Sequence, residues 1–311
     1  MFKEKKLLNE TFIIYIMNIK HLIIPSGGPA GFVTYGALRE LAKKKVWNIE
    51  NIKSIYGCSV GALIGAVLAL NYKWEWLDDF FYKRPWSDVV KINPENILNF
   101  YKKKGLLDDD TFYKIMEPLL KGKGMTQNIT MGEFYEKTSI DLHIYTTNLN
   151  SIELETIDIN YKTYPNIELC NAITMSASIP GIMSPVFLDN KCLIDGGFLN
   201  NIPIGDCIKE KNVNIEEILA FRNIWKEDKE ITDESNIGDI YLKLISALVK
   251  KTNILLNDKF IKKIKHNVYL NATDATNFSS WSVILENKDV RASLIEQGII
   301  NAKMFCKYNN L

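Results

Sequence analysis

The spacing of apolar and polar positions changes period several times along the chain, and each change marks an element. His21–Pro25 (HLIIP) is a continuous apolar run too short for a helix, so it predicts a buried strand. It stops at Ser26-Gly27-Gly28-Pro29-Ala30-Gly31, after which Phe32, Tyr35, Leu38 and Leu41 recur at helical spacing. Ile52–Tyr56 predicts a second strand, Gly57-Cys58-Ser59-Val60-Gly61 a sharp turn, and ALIGAVLAL an apolar helix. Two strand–turn–helix units in succession predict a parallel sheet covered by helices.

Further along, residues 72–139 are helical and amphipathic in pattern. There Leu106-Leu107-Asp108-Asp109-Asp110-Thr111 precedes a helix ending near Leu120, and carboxylates suit a helix start. DLHIYTTNL and SIELETIDI alternate with period two and predict a hairpin around Asn148–Ser151. A helix over Ile167–Ile179 should stop before Pro180-Gly181, and Lys191–Ile194 should be a strand entering the turn Asp195-Gly196-Gly197. The remainder predicts a strand (ILAFRNIW), a helix near Tyr241–Leu256, a strand (HNVYLNA) and a closing helix over about Val290–Cys306.

Composition narrows the function classes. Of the 311 residues, 38 are Lys or Arg and 37 Asp or Glu, a net charge of +1 that gives nucleic acid no electrostatic footprint. The five cysteines are scattered without a C-x-x-C pair, so neither a disulfide framework nor a zinc site is indicated. The N-terminal run MFKEKKLLNETFIIYIMNIK is interrupted by Asn9 and Glu10 and lacks an A-x-A site, which makes it a poor signal peptide. No stretch reaches the roughly 18 apolar residues of a membrane span. The expectation is a cytoplasmic protein, with residues 1–16 an extension and residues 17–311 a single domain.

Three glycine-rich turns carry the chemistry. Gly57-Cys58-Ser59-Val60-Gly61 fits G-x-S-x-G in its strand–turn–helix setting, with Ser59 as nucleophile and Gly57 and Gly61 leaving room for a strained turn. A capping serine in tight strand–helix packing would look alike. The turn from Ser26 to Gly31 fails G-x-G-x-x-G, so a dinucleotide site is weakly supported. As an oxyanion hole it could offer the N–H of Gly27, Gly28 or Ala30, joined by Val60 after the nucleophile, Pro29 having no N–H. Asp195-Gly196-Gly197 alone reads as a solvated turn. With the other two it would bring donors, nucleophile and carboxylate to one edge of a parallel sheet.

These turns, in this order, resemble the patatin-like phospholipases: Gly27-Gly28-x-x-Gly31, Gly57-x-Ser59-x-Gly61 and Asp195-Gly196-Gly197, with softer similarity through KGLLDDDTFYKIM, HIYTTNLNSIELETI and NAITMSASIPGIMSPVFLDNKCLIDGGFLNNIPI. The similarity covers roughly residues 20–210. It implies an α/β three-layer sandwich, a mostly parallel central sheet with helices on both faces. It also implies lipid acyl hydrolysis of the phospholipase A or lysophospholipase type by a Ser59–Asp195 dyad without metal or organic cofactor. The substrate would be a phospholipid or other lipid ester, met at a membrane by peripheral contact. Ser26 and Ala30 depart from the family pattern, the second removing a basic residue. A silent lipid-binding scaffold and an acyltransferase are the rivals.

Three further points bear on the site. A Ser-His-Asp triad of the ordinary hydrolase order would need the late His266, which the lysines of KKIKH place in solvent, while His21 and His143 read as packed or hydrogen-bonded strand residues. Cys58 should point away from Ser59 into the core. Trp74, Trp76, Leu77, Phe80, Phe81, Tyr82 and Trp86 form either a lipid-facing element or, with Asp78 and Asp79 outside, a helix packed on the core.

Overall fold

The computed structural model describes residues 17–92, 94–107, 110–210, 213–224, 230–275 and 278–311. The expected extension 1–16, most of the acidic run before Asp110, and Trp225 lie outside them. The strands are β1 (His21–Ile24), β2 (Ser54–Cys58), β3 (Asp141–Asn148), β4 (Glu155–Ile159), β5 (Val186–Leu188), β6 (Lys191–Asp195), β7 (Ile218–Ile224) and β8 (His266–Asn271). They form one sheet in the order β5-β6-β3-β2-β1-β7-β8, with β4 also paired to β3. The pairs β3–β2, β2–β1, β1–β7 and β7–β8 are parallel. Those of β4, β5 and β6 are antiparallel. The fold is α/β with a mostly parallel sheet, as the pattern predicts.

Strand side chains alternate between faces, and the core divides accordingly. Leu22, Ile24, Ile55 and Leu219 pack on one face with the helices α1 (Gly31–Lys43), α2 (Val60–Ala69), α3 (Thr111–Gly122) and α5 (Leu169–Ala177). Between the last two in sequence runs α4 (Met131–Thr138), opened by a Thr130–Glu133 capping box. Ile23, Tyr56, Tyr145, Ile218 and Ala220 pack on the other face with Ile204, Cys207 and Ile261, the last at the end of α6 (Ile237–Ile261). Both faces being covered explains why β1 reads as an unbroken apolar run rather than as an alternation. The chain closes with α7 (Phe278–Glu286) and α8 (Lys288–Tyr308). The strand β5 and the helix α7 have no counterpart in the sequence reading.

α8 returns to α1 and touches its backbone. A Cβ on Gly298 would lie 2.0 Å from the Val33 carbonyl oxygen, and one on Gly36 2.1 Å from that of Ile295. Arg291, buried, donates to the carbonyls of Tyr82, Arg84, Ile284 and Leu285, tying α8 to the aromatic segment. In that segment Leu77, Phe80, Phe81 and Trp86 are core residues, and Arg84 lies over the Phe80 and Trp86 rings. The packed-helix alternative therefore holds for Trp86, and only Trp76 is well exposed. Gly298→Ala should cost about 2–3 kcal/mol, because two helix backbones must part to admit the methyl. Urea denaturation reads this, and an unchanged midpoint would rule out the close contact.

His143 occupies the centre of β3, stacked on Tyr56 at 4.3 Å and set between two carboxylates. Nδ1 lies 2.7 Å from Asp158, and Nε2 makes a looser ionic contact of 3.3 Å with Asp141 that lacks full hydrogen-bond geometry. Burial opposes its charge, but the two carboxylates prevail and raise its pKa to about 9. The sign follows from linkage. A folded pKa of about 9 against 6.5 unfolded gives stability fully present below about pH 6.5 and lost as pH rises through 9. The loss should be of order 2–3 kcal/mol. Unfolding free energies from pH 6 to 9.5 should fall for the natural chain and stay flatter for His143→Gln. Identical slopes would remove the buried imidazolium.

Candidate active site

Ser59 follows β2 directly and opens α2 with φ 54° and ψ −123°, a conformation L-residues rarely adopt. Its neighbours force the turn. A Cβ on Gly57 would lie 2.5 Å from the Gly61 carbonyl oxygen, and one on Gly61 2.4 Å from that of Ile24 at the end of β1. The Ser59 N–H donates to Ser176 Oγ at 2.8 Å, and that hydroxyl donates to the Tyr145 carbonyl at 2.6 Å. Cys58 turns into the opposite core, as expected, where burial raises its thiol well above the ordinary range.

Asp195 ends β6, which runs against β3 and pairs Asp195 with Thr146. β2 pairs Cys58 with the adjacent Tyr145, so β3 sets serine and aspartate at one level. The two do meet, but not as three strand ends on one parallel edge. β6 arrives from the opposite direction and stops part-way along the longer β3. Gly196 passes so close to the Tyr145 carbonyl that a Cβ would lie 2.1 Å from it. The Asp195 N–H donates to Ser178, the Gly196 N–H to Ser176, and the Gly197 N–H to Asp195 Oδ1 at 2.7 Å.

Both side chains are buried, Ser59 at 4% and Asp195 at 5% exposure. Burial raises the Asp195 pKa to about 6, held from rising further by the Ser59 hydroxyl and the Gly197 N–H. The Ser59 hydroxyl lies close enough to lower this carboxyl, while Oδ2 has no partner of full hydrogen-bond geometry. One carboxylate oxygen is thus anchored by backbone, and the other is buried without a partner.

The glycine turn after β1 lies beside this pair. Ala30 donates its N–H to the Gly27 carbonyl at 3.0 Å, which leaves Gly27 and Gly28 as the donors in that turn. Neither of these N–H groups, nor that of Val60 at the start of α2, donates to another described residue. Gly28 has φ 51°, and a Cβ there would meet the Trp281 ring of α7 at 2.8 Å. Gly31 packs on Val60, joining the turn to the nucleophile helix. Ser26 hooks onto Asn201 through its hydroxyl and N–H, while Asn223 at the end of β7 donates to the Ser26 carbonyl at 2.8 Å. Ala30 is fully buried and brings no charge to the mouth.

The histidines lie elsewhere. His21 and His266 begin β1 and β8, at the sheet edge away from Ser59, and His143 is in mid-strand. His266 is buried, contrary to the solvated position expected from its lysine neighbours, and burial lowers its pKa. A cavity of about 430 Å³ lined by Trp47, Tyr72, Trp74 and Leu77 sits at the far end of α2, about 15 Å from Ser59 at 1.5 Å per residue. Among the described residues no cluster of His, Cys, Asp and Glu could hold a metal, and no helix is long and apolar enough to cross a membrane. Ser176, Asn201, Asn223 and Trp281 are site residues that no motif signalled.

Over 195 residues the chain is 29% identical to a probable lipid hydrolase, 463L, of Invertebrate iridescent virus 6, covering 62% of this chain and 64% of that protein. Over 286 residues it is 31% identical to the uncharacterized protein R571 of Acanthamoeba polyphaga mimivirus, covering 92% and 93%. Its fold is similar to the crystal structure of VipD from Legionella pneumophila, with TM-score 0.54 and 17% identity over 94% of this chain and 67% of that one. The profile described as patatin-like phospholipase matches residues 22–208, which include all three glycine turns. With more than half its length matched, the chain belongs to the patatin-like phospholipase family.

Proposed function

We propose that the protein is a lipid acyl hydrolase, of phospholipase A or lysophospholipase type, acting through a Ser59 acyl-enzyme with Asp195 as its base. The observation that carries this is the bare, buried Oδ2 of Asp195 beside the Ser59 hydroxyl. Asp195 takes the hydroxyl proton as Oγ attacks the ester carbonyl. The developing oxyanion receives the N–H groups of Gly27, Gly28 and Val60, the last at the positive end of the α2 dipole. Collapse expels the alcohol, which takes the proton back from Asp195. Water then repeats the sequence on the acyl-enzyme, losing its proton to Asp195 and releasing a fatty acid and free Ser59. The raised pKa suits a base near neutral pH better than an ordinary aspartate would.

Ser59→Ala should abolish ester hydrolysis and labelling by a fluorophosphonate probe with circular dichroism unchanged. Asp195→Asn should lower turnover by ~10²–10⁴-fold, the range for loss of a general base. His21→Ala and His266→Ala should stay within about tenfold of the natural chain, a barrier change of roughly 1.4 kcal/mol. A His266→Ala loss as deep as that of Ser59→Ala, in a folded protein, would replace the dyad with a triad.

A protonated Asp195 cannot accept a proton. kcat/KM on a soluble ester should therefore fall as pH drops through about 6, by about a decade per unit below it. An acid limb centred near 4 would mean that burial does not perturb this carboxylate.

A further inference from the structure

Large apolar side chains face solvent on three helices, one of which packs beside the turn that follows Asp195. On the helix Pro94–Leu98 and its successor Phe100–Lys103, Leu98 is 85% and Tyr101 97% exposed, with Ile97 and Phe100 also open. On α6 the exposed residues Ile237, Ile240, Leu244 and Leu248 recur at intervals of three and four, a single stripe along its first three turns. The two groups adjoin. A Cβ on Gly181 would lie 3.9 Å from both Phe100 Cζ and Tyr241 Cε1, and Tyr241 donates to the Pro180 carbonyl at 2.5 Å. Exposed Phe187 of β5 extends the patch, with Lys104 Nζ 5.9 Å from its ring.

The patch is continuous with the site. The Pro180-Gly181 loop follows Ser178, whose carbonyl accepts the Asp195 N–H at 2.9 Å. α6 packs along Gly197–Asn200, the helical turn that follows Asp195-Gly196. Its charge is mixed with a local lysine excess: Lys102, Lys104, Lys250 and Lys251 are exposed on or at the ends of these helices against Glu95 and Asp239, while Lys103 donates to Asn96. Glu230, Asp233 and Glu234 lie ahead of α6, so the positive sign belongs to the Phe100–Lys104 side and to Lys250 and Lys251. Open aromatic and aliphatic side chains rimmed by lysine are what a helix lying in a phosphate-rich interface presents.

We propose that this surface docks the protein on an anionic phospholipid membrane, with Leu98, Tyr101, Ile237 and Leu244 entering the interface and Lys102 and Lys104 meeting lipid phosphates. Its consequence for turnover rests on the hydrolase reading, but docking itself does not. The test is flotation of full-length Ser59→Ala protein with phosphatidylcholine vesicles, with and without phosphatidylserine. Partition should be stronger with phosphatidylserine, and Leu98→Ser/Tyr101→Ser and Ile237→Ser/Leu244→Ser should each weaken it about tenfold. Lys102→Glu/Lys104→Glu should abolish the preference for phosphatidylserine. In the active protein both apolar pairs should keep turnover on a soluble short-chain ester within about twofold while losing about tenfold on vesicle lipid. Three results would each overturn the surface: no vesicle binding by the parent protein, unchanged partition of both apolar pairs, or equal losses on soluble and vesicle substrates. Correct partition without hydrolysis of any ester would leave the surface standing and remove the hydrolase reading.

Discussion

The Ser176 hydroxyl is the interaction on which the site depends. It accepts from the Ser59 N–H and donates to the Tyr145 carbonyl, while the Ser176 carbonyl takes the Gly196 N–H. One buried residue of α5 thus joins the nucleophile turn, the central strand and the aspartate turn. A positive-φ serine persists only where its surroundings over-determine it, and this network does so with neutral groups that need no water. Register then does the rest, because β3 sets Cys58 and Asp195 opposite neighbouring residues.

The electrostatics follow from the same burial. Desolvation raises the Asp195 carboxyl, while the Gly197 N–H holds one oxygen and leaves the other bare. A raised pKa and a fixed orientation thus meet in one side chain. The buried His143, by contrast, stays charged because two carboxylates flank it, and its task is confined to the sheet. Burial thus disfavours the charged form of Asp195, whereas flanking carboxylates favour that of His143, a difference set by partners rather than by depth.

Much of this is legible in the sequence because local pattern and tertiary role agree. Two-sided burial makes β1 a continuous apolar run, and the glycine turns need small residues whatever their wider setting. The direction of β6 is not legible, since KCLID pairs equally well either way, and only β3 decides. β5 has three residues, too few to show a period, and α7 carries little polar contrast. Ser176 hides in NAITMSASIPG, where one serine looks like its neighbours until the Ser59 N–H is found pointing at it. His266 misleads for a related reason: adjacent lysines report on the surface beside a strand, not on the strand residue itself.

The backbone contact between α1 and α8 has a consequence for how the molecule is made. α1 carries the glycine turn at its start, yet Val33 and Gly36 find their partners in Gly298 and Ile295, some 260 positions later. Loop closure over that separation grows only slowly in cost, but the contact cannot form before the distant segment exists. During synthesis the Ser59 and Asp195 turns emerge well before the helix that packs behind α1. A chain still on the ribosome therefore exposes the apolar face of α1, a surface that chaperones can hold until α8 arrives.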